Sequence, residues 1–209
     1  MARESIVEKL TTGNSEAVFV AASKPMTTFD PEGLYHANVL VPKAEGEKIV
    51  KLANTIEEKQ FNTYRKNNKK VEFTGCIPYV KVEKDENGRI IKETPDPEGR
   101  YILKAKNKAY IKNGVAGQKI PVFDSKLKPI EGVSIGSGST VRLGLTLEGY
   151  STNLGTGVSV KLRMLQVINL VPFGGYKADD FFTSTEGYDF SEADVDTEPA
   201  GETSEEEDF

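Results

Sequence analysis

Apolar positions along most of this chain recur at every second residue, the spacing of a strand with one face turned to a core. Tyr35, Ala37, Val39 and Val41 alternate with polar neighbours, and Val18 and Val20 share one face of an earlier run. Val141, Leu143, Leu145 and Leu147 form a third inward set, and Val158, Val160, Leu162, Met164, Ile168 and Leu170 are read as a fourth. Lys81-Val82 and Arg89-Ile90-Ile91 flank Asn87-Gly88, a pair that favours left-handed backbone and predicts a tight hairpin. A second hairpin turn is predicted at Asn153–Gly157. One segment breaks the rule. After Pro42, residues Ile49, Leu52, Ala53 and Ile56 fall at i, i+3, i+4 and i+7, which predicts a helix from about Ala44 to Arg65, extended loosely by Phe61 and Tyr64. Short strands, Gly-rich turns and one inserted helix predict a mainly β fold, with an OB-like small barrel first and other small barrels or sandwiches also compatible.

Charge divides the chain. The 27 Lys and Arg against 32 Asp and Glu give −5 overall. From Ala178 to Phe209 there are thirteen acids and no Lys or Arg, which leaves +8 on residues 1–177. We therefore expect a nucleic-acid-binding domain over residues 1–176 and a disordered acidic C-terminal tail over 177–209, whose like charges repel and whose aliphatic content is too low to offset ordering. The tail ends Glu205-Glu206-Glu207-Asp208-Phe209, a pattern suited to recognition: the ring fills an apolar pocket while the carboxylates meet Lys and Arg. A plain solubilising tail is the alternative. Phe181, Phe182, Tyr188 and Phe190 lie nearer the body, placed to dock on the core or on a second subunit.

A basic body with an acidic tail points to a polyanion partner, and Arg100 to Lys112 shows where. On a strand, Tyr101, Leu103, Ala105, Asn107, Ala109 and Ile111 share the core-like side. Arg100, Ile102, Lys104, Lys106, Lys108, Tyr110 and Lys112 share the other, so five cations and an aromatic lie on one face. Like charges stacked in this way repel unless they meet an anion. Arg142 and Tyr150 lie opposite the Val141–Leu147 face, and Lys161 and Arg163 opposite the Val158–Met164 face. Cations with interleaved rings suit single-stranded nucleic acid, whose phosphates need Lys or Arg and whose bases need flat surfaces. A solvated basic face with ordinary surface tyrosines is the competing explanation. A tethered polyanion such as the tail could also occupy this groove and compete with nucleic acid.

Other chemistry is poorly supplied. The lone Cys76 and lone His36 remove most metal sites and most His-based catalysis, and no nucleophile–base set or dinucleotide fingerprint is present. No cofactor is implied. Gly132–Ser139 is Gly-rich but lacks the ending of a phosphate-binding loop, so it is read as a turn or a close backbone approach to a ligand. His36 falls on the polar side of its strand, a surface or hydrogen-bonded histidine rather than a catalytic one. No apolar run is long enough to span a membrane, the first residues lack an apolar leader, and a single cysteine suits a reducing cytoplasm.

In the order of its segments the chain resembles the podophage replication single-stranded DNA-binding proteins of the gene 2.5 type. The resemblance is carried by Ala2-Arg3, Ala22-Ser23-Lys24-Pro25, Asp30-Pro31-Glu32-Gly33-Leu34-Tyr35 and Val39-Leu40-Val41-Pro42. It continues in Gly136-Ser137-Gly138-Ser139, Tyr150 with Asn153, Val158–Leu162, Phe173-Gly174-Gly175, Asp179-Asp180-Phe181 and the terminal Asp208-Phe209. It implies an OB-fold that binds single-stranded DNA without sequence preference, promotes annealing and forms a homodimer in the cytoplasm of a phage-infected host. It also implies that the tail contacts the replicative DNA polymerase and helicase-primase. Carried over by position, Arg3, a lysine of the Lys104–Lys106 pair and Tyr150 match residues implicated in DNA binding. Two positions depart: Glu32 stands where a basic residue is expected, and Thr152 where an aromatic is expected. An RNA-binding or RNA-chaperone barrel, and an acidic-tailed interaction protein that binds no nucleic acid, are the other readings; an enzyme fits least.

Overall fold

The computed structural model describes residues 5–28, 30–63, 69–111, 115–116 and 119–172. Its elements in chain order are β1 (Val7–Thr11), β2 (Ser15–Met26), β3 (Leu34–Val41), α1 (Lys43–Thr63), β4 (Cys76–Pro78), β5 (Val80–Lys84) and β6 (Ile90–Pro95). They continue with β7 (Tyr101–Lys108), β8 (Tyr110–Ile111), β9 (Val115–Ala116), β10 (Val122–Phe123), β11 (Thr140–Thr152) and β12 (Gly155–Asn169). The order of pairing is β1-β11-β2-β3-β7-β12-β10, and β11 also pairs with β12. That extra pairing closes β2, β3, β7, β12 and β11 into a five-membered ring, the strand count of an OB barrel. Four contacts of the ring are antiparallel; the fifth, β7 with β12, is parallel and registers Lys106 with Lys161.

Alternation fills the barrel as expected on β3, where Tyr35, Ala37, Val39 and Val41 are all buried, and on β11, where Val141, Leu143, Leu145 and Leu147 are. The fourth predicted set needs correction. The β11–β12 register slips between Gly144 and Leu145, which oppose Met164 and Leu162, so Arg163 is the extra residue of a bulge. A bulge shifts the side-chain phase by one. Beyond it Leu165 and Val167 face the core, whereas Met164 and Leu170 are exposed. A second slip, between Ala17 and Phe19, breaks the expected Val18/Val20 face; the core positions of β2 are Ala17 and Ala22.

Helix α1 packs against β4, β11 and β12 through Ile49, Ala53 and Ile56. Gly46 lets its first turn meet the Tyr101 ring, since a Cβ there would lie 2.4 Å from Tyr101 Cγ. Near the other end Gln60 is buried, and its Oε1 accepts the backbone N–H of Ile6 at 3.2 Å. Among the described residues α1 is the one helix, and none is long and apolar enough to cross a membrane. The Asn87-Gly88 hairpin is the β5–β6 ribbon; Gly88 has φ of 76° and Asp85 Oδ1 accepts from the N–H groups of Asn87 and Arg89. Asn153 and Leu154 turn β11 into β12, with Thr152 paired to Gly155. The Gly132–Ser139 stretch is a turn that approaches the chain itself. The buried Ser139 Oγ donates to Gly136 O at 2.7 Å and accepts the N–H of Val171 at 3.0 Å, and a Cβ on Gly136 would meet the backbone of 171–172. Cys76 is a buried thiol, its pKa pushed up to about 12 by burial and by Glu45.

Candidate nucleic-acid interface

Strand β7 presents its two faces as its sequence dictates. Leu103 and Ala105 are buried; Lys104, Lys106 and Lys108 are exposed. Register with β3 sets Lys104 beside Asn38, Lys106 beside His36 and Lys108 beside Leu34 on the outer face of the barrel. A groove of about 500 Å³ runs over this face, lined by His36, Asn38, Lys104, Lys106, Tyr150 and Ser159 and walled by the segment 71–75, which adds the carboxylate of Glu72. The structure thus brings Lys104, Lys106 and Tyr150, from strands far apart in sequence, into one concavity. Tyr150 crosses toward β12 because its register partner is Gly157; a Cβ there would lie 2.7 Å from Tyr150 Oη. Lys161 opposes Lys106 at the parallel seam. Lys104, Lys106 and Lys161 have no ion-pair partner among the described residues.

Among the described residues, Arg100, Lys108 and Arg163 are paired with acids and Arg142 with an amide, so the cations of the predicted ladder are not equivalent. Arg100 is clamped by Asp96, with Nη2 to Oδ1 at 2.8 Å and Nε to Oδ2 at 3.0 Å, and also reaches Glu16 at 2.9 Å and Glu98 at 3.6 Å. Hydrogen bonds from Arg100 hold the Asp96 carboxyl down at about 2, and the Arg100 guanidinium is pushed above its ordinary value by the same partner. Arg100 is a structural clamp at one end of the face. At the other end Lys108 Nζ meets Glu32 at 3.2 Å and Asp30 at 4.0 Å. Glu32, the departure noted in the sequence, thus neutralises a rung of the ladder. Arg163 is paired with Glu148 and donates to Thr146 Oγ1. Arg142 Nε donates to Asn14 Oδ1 at 2.7 Å and lies eight residues before Tyr150 on β11, roughly 27 Å along a strand at ~3.4 Å per residue. Neither arginine lines the groove. Along β7 the cations without an acid partner are therefore the central ones, fenced by acids at both ends.

Arg3, Lys112 and the tail residues Glu205, Glu206, Glu207, Asp208 and Phe209 lie outside the described residues, as does the whole predicted tail; Tyr110 is placed by its backbone in β8 only. His36 lines the groove more intimately than its place on a polar strand face suggested. Its ring meets Phe19 edge-on with centroids 5.0 Å apart, and its Nε2 is buried without a hydrogen-bond partner. Burial, and then the nearby Lys106 charge, lower its pKa. Phe19 and the 71–75 wall escaped the sequence reading. The only sign of Phe19 is the unbroken apolar run Val18-Phe19-Val20, which the alternation rule cannot phase.

No protein-family profile matches the chain, and no curated protein matches its sequence. Solved structures do. The bacteriophage T7 single-stranded DNA-binding protein gp2.5 superposes with a TM-score of 0.56 at 22% identity, covering 89% of this chain and 100% of that one. The chain has the fold of phage single-stranded DNA-binding proteins. The bacteriophage Enc34 single-stranded DNA-binding protein in complex with single-stranded DNA gives 0.52 at 18% identity, covering 79% of this chain and 89% of that one. The OB-like barrel and the fold resemblance expected from the sequence are thereby borne out.

Proposed function

We propose that this protein binds single-stranded DNA without sequence preference through the groove over β3, β7, β11 and β12. The observation that carries the reading is the coincidence of two unpaired lysines, Lys104 and Lys106, with the Tyr150 ring in one open groove whose flanking cations are held by acids. Phosphates meet the ammonium groups and an unstacked base meets the ring; stacking of this kind is worth ~1–3 kcal/mol per base. Backbone contacts and stacking carry no base code, so binding is sequence-tolerant. Two fold relatives are single-stranded DNA-binding proteins by name, and one was solved with the strand bound. On this reading the protein coats strands in phage replication and recombination, promotes annealing and acts as a homodimer. Its tail, ending Glu205–Phe209, recruits the replicative polymerase and helicase-primase and competes with DNA for the basic groove.

The test is fluorescence anisotropy with a labelled oligo-dT of about thirty nucleotides, a length that exceeds one barrel's site. Full-length protein and a variant ending at Tyr176 are titrated, with duplex and an RNA of the same sequence as competitors. Binding to the single strand, tightened by truncation and little affected by duplex, is expected. Preference for RNA would favour the RNA-chaperone reading, and no binding by either form would leave the acidic-tailed interaction protein.

A further inference from the structure

On the far side of the lysines from Tyr150 lies a second aromatic surface. Phe19 stands on β2 at a register position beside Asn38 of β3, and Asn38 in turn lies beside Lys104. Cross-strand partners share a face, so Phe19, Asn38 and Lys104 form one row on the outside of the barrel. Phe19 is 36% exposed, an uncommon state for a phenylalanine on a sheet. It is there because of the bulge: the slip between Ala17 and Phe19 turns the ring out of the core phase. The ring is also braced. His36, one row along, packs against it in a T-shaped arrangement at 62° with centroids 5.0 Å apart, which fixes the plane of a ring that remains 36% exposed.

The acid fences bear on direction. Arg100 with Asp96 and Glu16 closes one end of β7, and Lys108 with Glu32 and Asp30 closes the other. A polyanion running along β7 would meet carboxylates at both ends. Crossing the strands, it meets Tyr150, Lys161, Lys106 with Lys104, and then Phe19. The groove that holds Tyr150, Lys104 and Lys106 also reaches His36, and the Phe19 ring lies 5.0 Å from that of His36, so the path from one aromatic to the other follows one outer surface.

We propose that Phe19, braced by His36, is a second base-stacking platform, so that single-stranded DNA crosses the barrel strands with one base on Tyr150 and another on Phe19, its phosphates on the lysines between. This rests on the binding function proposed above and adds the path of the strand and the residue that ends it. Phe19 contacts the base; His36 is a positioning residue.

The full-length protein and its Phe19→Leu and Phe19→Tyr variants are titrated with oligo-dT over a series of salt concentrations. Leu keeps the apolar contact and removes the ring; Tyr keeps the ring. Phe19→Leu is expected to weaken binding about 5- to 150-fold, the equivalent of one stacked base, with the salt dependence unchanged because no charge is lost. Phe19→Tyr is expected to bind as the parent does. In parallel, an oligonucleotide carrying 5-iodouracil is crosslinked to the unmodified protein, which needs no variant to fold, and the adduct is mapped to a peptide containing Phe19. Parent-like binding by Phe19→Leu, or crosslinks confined to the Tyr150 region, overturns the platform and leaves single-strand binding standing. No binding by the parent protein overturns both.

Discussion

Removing the two groove lysines together, Lys104→Ala with Lys106→Ala, separates an electrostatic groove from a merely basic surface. Three unpaired cations face the groove or its seam, Lys104, Lys106 and Lys161, while Arg100, Lys108 and Arg163 are held by carboxylates. Each phosphate neutralised on a single strand contributes ~0.7 to the slope of log K against log salt. Three contacts give a slope of roughly −2, so the parent protein loses about 18-fold in affinity between ~50 and ~200 mM salt. With Lys161 alone the slope is about −0.7 and the loss about 3-fold over the same range. The assay is anisotropy of labelled oligo-dT at four or more salt concentrations. Arg100→Met is the control, because it removes a cation from the same strand without removing a free one. It should lower the thermal midpoint and leave the slope alone. A slope unchanged by the double substitution, or reduced as much by Arg100→Met, would refute the division of the ladder into free and engaged cations.

Other expectations follow from the same contacts. Glu32→Gln combined with Asp30→Asn releases Lys108 from both its acids and should steepen the salt slope by ~0.7 and tighten binding at low salt; unchanged binding would show that Lys108 is not a latent phosphate contact. Gly157→Ala pushes a methyl group against Tyr150 Oη and should weaken oligo-dT binding by up to ~1–3 kcal/mol, the worth of one stacked base. Equal affinity with an unaltered circular dichroism spectrum would remove Tyr150 from the site. For His36, burial and Lys106 favour the neutral imidazole in the folded protein, so the unfolded chain takes up the proton first. Its contribution to stability is present above the ordinary histidine value of ~6.5 and is lost as pH falls from there toward the lowered folded value. Urea midpoints measured across that window should drop for the parent and be flatter for His36→Gln; parallel profiles would count against a neutral His36.

Most of the barrel could be read from period-two alternation, because β3, β7 and β11 each turn one face to the core and the other outward. The helix was equally plain, since Ile49, Ala53 and Ile56 repeat at helical spacing and Pro42 marks where the strand ends. What alternation cannot see is a bulge. One extra residue at Arg163 moved the inward set from Met164 to Leu165, and one at the start of β2 turned Phe19 outward. Both displacements arise from pairing with a distant strand and leave only a blurred pattern in the local sequence. The lysines were legible as a face, but not which of them were free. Asp96 and Glu98 sit close to Arg100 in the chain, whereas Glu16 and Glu32 reach the ladder only through the folded register. Tyr150 and Lys106 were named from separate strands; that one groove holds both depends on the parallel β7–β12 contact and on Gly157, neither of which a single strand's pattern encodes.

The seam that closes the barrel has a consequence for the lifetime of the molecule. It registers one lysine against another, and like charges on neighbouring strands push apart. This parallel join of the ring therefore carries a like-charge repulsion that an anion lying across it relieves. A ligand that binds the closed form adds its binding free energy to that of folding, so a copy with a strand across the seam opens less often than an idle copy. A protease that attacks transient openings would then remove surplus protein in preference to protein in use, and the pool would follow the amount of exposed strand without a separate regulator.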